Sequence, residues 1–156
     1  RGEKIMAVSR RKEINDILIA ELKKINGDES TFDSSYTYNT NLFNNVFRGM
    51  TFLDEVNDFP ALYVVAGTES RTFNSNNLTT ATLDITLRLY VYGQDNSQQI
   101  ADDSVQDVEH VIYHIGDNPD KGLLDITIDS ISTDEGLAAP YGLAEIALIV
   151  NYRIEG

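Results

Sequence analysis

Residues 80–93, TATLDITLRLYVYG, decide the fold. Leu83, Ile85, Leu87, Leu89 and Val91 fall on one side of an extended chain. Thr82, Asp84, Thr86, Arg88, Tyr90 and Tyr92 fall on the other, because successive side chains of a strand alternate sides. The pattern predicts a strand with one apolar and one wet face. At about 3.4 Å per residue it runs to roughly 45 Å, against a radius of gyration of about 15 Å for a domain of this length. Such a strand crosses the whole domain, with one end free to project past it.

Working outward, Pro60 opens the apolar run ALYVVAG. Proline suits the first position of a strand, and an unalternating run suits a strand covered on both sides. Asn74 to Asn77 carry turn chemistry, so 61–73 and 78–93 read as the arms of a long hairpin with a polar tip. Downstream, Ser97 reads as the cap of a helix to Ile115 with Ile100, Ala101, Val105, Val108, Ile112 and Ile115 on its apolar stripe. Asp102, Asp103, Gln106, Asp107, Glu109 and His110 lie largely elsewhere around that helix, and residues 116–119 stop it. Leu124–Ile131 and Leu143–Ile154 alternate as two further strands about a turn region at 134–142.

Upstream, Ser9 caps a helix from Arg10 to about Ile25, with Ile14, Ile17, Leu18, Leu22 and Ile25 on one stripe and Asn26-Gly27 as the stop. Val46–Arg48 is a short strand broken at Gly49. Residues 28–45, DESTFDSSYTYNTNLFNN, form a polar loop longer than the roughly 12–15 residues of an ordinary connection. Its Tyr36 and Tyr38 suit either a short strand or aromatic anchors for a partner. Residues 1–8 read as a flexible extension, with the native start upstream of Arg1 or at Met6. The expectation is one α+β domain over residues 1–156: a mainly antiparallel sheet with a long hairpin and two amphipathic helices packed on one face.

Zero cysteines exclude a disulfide framework and any thiolate metal site, and fit synthesis in a reducing cytoplasm. No apolar run approaches the roughly 20 residues needed to span a bilayer. The net charge of −13 is unevenly placed. Residues 1–26 carry seven Lys/Arg against four Asp/Glu, and residues 27–156 carry five against twenty-one. A body this acidic repels phosphate, which argues against gripping nucleic acid. Charge of this size serves solubility, or a surface that faces DNA without holding it.

Catalytic signatures are missing. There is no G-x-S-x-G, no Walker or dinucleotide loop and no H-E-x-x-H. His110 and His114 stand at the i, i+4 spacing that can chelate a metal, but both read as pointing towards solvent, with only Asp107 and Asp117 near enough to add a ligand. Asp54, Glu55 and Asp58 match no EF-hand spacing. The residues give no case for an enzyme and none for a cofactor. An acid–base hydrolase would need a pocket pairing carboxylates of displaced pKa.

The order of features resembles the tail terminator (tail completion) proteins of tailed bacteriophages. The resemblance is carried by the basic helix RRKEINDILIAELKKI, then VFRGMTFLDEVNDFPALYVVAGTE, the strand LDITLRLYVYGQDN and the acidic helix IADDSVQDVEHVI. These cover most of residues 9–115, and 28–45 is an insert without a place in that layout. The resemblance implies a structural virion protein at the head–tail junction, assembled in the host cytoplasm. It forms a hexameric ring on the head-proximal end of the tail tube, stops tube polymerisation and provides the head-joining surface. The implied partners are further copies of itself, the major tail tube protein and a head-completion or neck protein, with DNA passing through the lumen. Rival readings are a head-completion, neck or baseplate ring component and, from another class, a metal- or small-molecule-binding module on the His110/His114 helix.

Arginines and aromatics dominate interfaces, which singles out Arg71 and Phe73 on the hairpin and Arg48 and Phe52 in the middle segment as partner contacts. Core packing is the competing role for the two aromatics. Arg10 and Arg11 sit with Lys12 in the first turn of the first helix, where its dipole disfavours cations. They point to an acidic neighbour, such as another copy of this body, against the plainer reading of a solvated helix end.

Overall fold

A computed structural model describes residues 10–74, 78–115 and 123–155. In chain order these form helix α1 (Arg10–Leu22), strands β1 (Val46–Arg48), β2 (Ala61–Asn74) and β3 (Leu78–Tyr92), helix α2 (Ser97–Ile115), and strands β4 (Leu123–Thr133) and β5 (Tyr141–Glu155). The strands make one sheet in the order β1-β2-β3-β5-β4. All neighbours are antiparallel except β1 with β2, which run parallel. The α+β architecture expected from the sequence is the one observed. The 1–8 extension, the hairpin tip at 75–77 and the helix stop at 116–119 lie outside the described residues.

The alternation of β3 does what its sequence predicts on one face: Leu83, Ile85, Leu87, Leu89 and Val91 are all buried. Leu62 and Val64 of β2 and Ala144, Ile146, Leu148, Val150 and Tyr152 of β5 share that core. Both helices close it. α1 brings Ile14, Leu18 and Leu22 over β1 and β2, and α2 brings Ala101, Val105, Val108, Val111 and Ile112 over β3, β5 and β4. Ser97 is the first residue of α2 rather than its cap, because the carbonyl of Asn96 accepts the Ile100 N–H at 3.0 Å. α1 ends at Leu22 rather than Ile25. Lys24 and Ile25 bond back three residues to Glu21 and Leu22 at 3.1 Å, a tightened last turn that still delivers Ile25 to the core.

The opposite face is less wet than its alternation suggests. Residues 51–60, with a 3-10 turn at Leu53–Glu55, fold over its upper end. Val56 and Ala61 bury Tyr90 there, and the Tyr90 hydroxyl donates to the Thr51 carbonyl at 2.6 Å. The long hairpin does not project as a free two-stranded arm. β5 runs beside β3 from Tyr141 opposite Tyr92 to Glu155 opposite Leu78.

A bulge interrupts β2. Ala66 pairs with Ile85 and Glu69 with Leu83, so three steps on β2 oppose two on β3. The extra residue places Glu69, Arg71 and Phe73 on the helix side of the sheet. β4 is bulged twice against β5, between Leu123 and Asp125 and between Ile128 and Ser130.

Candidate interaction surfaces

The insert at 28–45 is built onto α2. Asp107, fully buried, supplies the anchor. One carboxylate oxygen accepts the Tyr36 hydroxyl at 2.8 Å and the Asn39 backbone N–H at 3.0 Å. The other accepts the Thr40 N–H at 2.8 Å and the Thr40 hydroxyl at 2.7 Å. A buried carboxylate is tolerable only when donors replace its hydration, and the Asn/Thr-rich insert supplies them. Burial, followed by the bond to Asp107, pushes the Tyr36 hydroxyl above its usual value, so it remains a donor. The placement of Asp107 on the outer side of α2, read from the sequence, is corrected here.

His110 is corrected as well, being half-buried, whereas His114 is exposed as the sequence predicts. His110 lies face to face with Tyr36, ring centroids 3.9 Å apart, and its Nε2 is 2.7 Å from the Ser30 hydroxyl. His114 stacks on Phe32 at 5.5 Å, and its Nδ1 meets the His110 carbonyl at 2.8 Å. Burial, then the neighbouring His114, holds His110 below the usual histidine pKa, against the opposing pull of Asp33 and Asp107. Tyr36 and Tyr38 therefore serve as internal anchors rather than as a strand or partner contacts, and Tyr38 is itself buried. Among the described residues no three His, Asp or Glu side chains gather into a group that could hold a metal, Asp54, Glu55 and Asp58 included.

The six residues singled out as partner contacts fall into two places. Arg11 donates to the Gly67 carbonyl at 2.9 Å and lies 3.9 Å from Glu69. Arg71 pairs with the same Glu69 at 2.7 Å, and the Tyr152 hydroxyl also donates to it. The Glu69 side chain keeps only 8% of its surface. Thus the acidic neighbour of Arg11 is in its own chain, brought there by the β2 bulge. Arg10 pairs with Glu13 at 3.4 Å. Phe73, two residues beyond Arg71 on the same side, is 74% exposed near the hairpin end.

Arg48 ends β1, and Phe52 follows it in the segment that folds over the open face, just before the 3-10 turn. Arg48 reaches across to Asp16 on α1. Phe52 is 63% exposed, and the sequence reading missed that Phe43, Phe47 and Met50, close to it in the chain, are exposed as well. The signal was available, since Phe43, Phe47 and Met50 repeat at the i, i+4, i+7 spacing of a helix in a stretch whose Asn44, Asn45 and Gly49 do not suit one, which leaves those apolar side chains without a regular face to bury. Phe47 stacks on Tyr63 at 5.2 Å on the open face. At the end of that face where Tyr141 opens β5, Leu53, Asp54, Val56, Phe59 and Tyr141 line a shallow cavity of about 490 Å³.

The β4 edge has a different character. Its exposed apolar residues are Ile131 and, at 89%, Leu137. Leu137 stands on a turn fixed by Asp134, whose carboxylate accepts the N–H of Ala138 at 2.8 Å and of Leu143 at 3.1 Å. Burial alone would raise the Asp134 pKa, but these donors outweigh it and hold the carboxyl below its ordinary range.

The family model for the Bacteriophage Tail Tube Terminator Protein matches residues 8–155, which takes in both helices and all five strands. The tail tube terminator protein p142 of Escherichia phage T5 is 32% identical over 127 residues, 74% of this chain and 79% of that protein. Among solved structures, a chain from the virion of a native gene transfer agent particle superposes with a TM-score of 0.47 at 13% identity, over 73% of this chain and 81% of that one. A sheet roofed by helices on one side, edged by exposed aromatics and free of any gathered metal-binding group among the described residues is the scaffold on which that sequence match lies, and the chain belongs to the bacteriophage tail tube terminator family, structural virion proteins that terminate the tail.

Proposed function

We propose that this chain caps the head-proximal end of a phage tail tube as a hexameric ring, as one terminator domain over residues 1–156. The ring stops addition of tube subunits and offers the surface to which a head-completion or neck protein joins, at the head–tail junction of a virion assembled in the host cytoplasm. The observation that carries this reading is the match of residues 8–155 to the tail tube terminator family, on a fold that leaves Phe47, Phe52 and Phe73 exposed for partners. A body of net charge −13 also suits a conduit through which DNA slides, because phosphates are repelled rather than held. Among the described residues no helix is long and apolar enough to cross a membrane. The role is structural, without a catalytic step or cofactor. Arg71 and Phe73, displayed at the end of the sheet away from Leu137, are the contacts assigned to the tube.

The test is to add the protein to matching tail-tube subunits during self-assembly and to measure tube lengths and ends by electron microscopy. Tubes that stop short with a ring at one end are expected. Unchanged lengths with bare ends would overturn the reading and move the protein to the neck or baseplate.

A further inference from the structure

The cavity of about 490 Å³ has a smaller neighbour of about 140 Å³, and Val56 lines both. The wall of the larger continues as a group of rings. Phe59 lies 5.4 Å from Tyr141 and 6.3 Å from Tyr92, centroid to centroid, and Tyr92 is half exposed. The smaller cavity is lined by Phe47, stacked on Tyr63, by Glu55 and Asp58, and by Asn45 and Asn57. One cavity is mostly apolar and the other joins aromatic rings to carboxylates.

Among the described residues no Lys or Arg lines either cavity, whereas Asp54, Glu55 and Asp58 do. These three carboxylates are exposed, and among the described residues none has an ion-pair partner. The cations of the adjoining strands are already paired. Arg88, opposite Tyr63, meets Glu145 at 3.1 Å, and Arg48, opposite Val64, reaches Asp16. The charge left over at the cavities is therefore negative, which repels phosphates and acidic segments. Aromatic faces beside carboxylates suit an ammonium or a guanidinium, because the ring quadrupole attracts a cation. The larger cavity falls within the roughly 300–1,000 Å³ of ordinary ligand pockets.

Both cavities lie where β2 begins and β3 ends, at the opposite end of the sheet from Arg71 and Phe73. With Arg71 and Phe73 turned to the tube, as proposed above, the cavities face the head. We infer that they take a basic segment of the head-joining protein. An apolar side chain enters between Leu53, Val56, Phe59 and Tyr141, and a neighbouring Lys or Arg enters between Phe47, Tyr63, Glu55 and Asp58. Opposite charges steer such an encounter, so joining weakens as salt rises. This inference rests on the terminator role proposed above and names the surface and the partner chemistry of its head-joining step.

The probe is a short peptide with Lys and Arg flanking a central Leu, set against the same peptide with Glu at both flanks. The full chain is expected to bind the basic peptide about tenfold more tightly or better by fluorescence anisotropy, with NMR shifts centred on Val56, Phe59 and Tyr63. Glu55→Lys combined with Asp58→Lys, both exposed, is expected to lose that binding by about tenfold or more. Asp84→Lys combined with Asp129→Lys, an equal change of charge at exposed positions elsewhere, is expected to keep it. Equal affinity for the two peptides, no binding of either, or shifts that fall elsewhere overturn the inference. On tubes, the Glu55/Asp58 variant is expected to stop growth as the wild-type chain does and to join matching heads about tenfold less often by electron microscopy. A variant that caps and joins like the wild type overturns the inference and leaves the terminator role standing. A variant that no longer caps also overturns it, and gives the cavities to the tube or to a second copy. Wild-type protein that never caps sinks the terminator role, and with it the head-side assignment, even where the peptide binds.

Discussion

Thr40 gives both its backbone N–H and its hydroxyl to one oxygen of Asp107, at 2.8 and 2.7 Å, across 67 residues of sequence. With Tyr36 and Asn39 on the other oxygen, this carboxylate joins the insert to α2. Replacing Asp107 with Ala strands several donors and is expected to cost about 3 kcal/mol or more. Urea unfolding measures the loss. Amide exchange should rise first in residues 36–40 and leave β3 protected; uniform loss of protection would show that the anchor is not local.

Acid should loosen the same region. His110 has its pKa depressed in the folded chain, below the ordinary 6.5, chiefly by burial and then by His114. The unfolded chain therefore binds the proton more readily, so the contribution is fully present above about pH 6.5 and is lost as pH falls through the depressed native value. Asp33 and Asp107 face the same ring and limit the size of the effect. Thermal midpoints from about pH 8 to 5 should fall more steeply for the wild-type chain than for His110→Phe, and an NMR titration should place His110 below 6.5.

Glu69 holds two guanidinium groups and a hydroxyl while nearly buried. Glu69→Ala leaves Arg11 and Arg71 facing each other without a counter-charge and is expected to cost about 2 kcal/mol. Pairing the change with Arg11→Ala should recover part of that loss, which a double-mutant cycle reads directly.

Gly142 is a packing constraint at the start of β5. A Cβ there would meet Val91 Cγ2 at 2.7 Å and the Ser97 carbonyl oxygen at 2.9 Å. The second neighbour is backbone at the start of α2 and cannot turn aside. Gly142→Ala is expected to lower stability by about 1–3 kcal/mol, read as a reduced urea midpoint with an unchanged slope.

Regular periodicity made much of the fold legible. The strict alternation of Leu83 to Val91 and the stripe of α2 depend on local repeats, and the structure reproduces the span Ser97–Ile115 and the strand Val46–Arg48. What escaped depends on partners distant in sequence. Asp107 was read as solvent-facing by its charge, although Ser104, Asp107 and Val111 share the i, i+3, i+7 spacing of one helix side and all three are buried. Position outweighed polarity because the insert carried donors to meet it. The parallel β1–β2 pairing was hidden for a different reason, since three residues hold too little pattern to declare a direction. Of the contact residues, Phe52 and Phe73 are exposed, whereas Arg11, Arg48 and Arg71 have carboxylate partners inside the chain, a distinction no residue type announces.

The bulge at residues 67–68 gives β2 one residue of slack. A chain lacking Thr68 could still set Ala66 against Ile85 and Glu69 against Leu83, with every later pair in frame. Losing Val64 instead would shift the parity of the strand and turn its apolar side chains outward. Insertions and deletions in relatives of this chain should therefore gather at the bulges of β2 and β4, where length can vary without changing which side of the sheet a residue occupies.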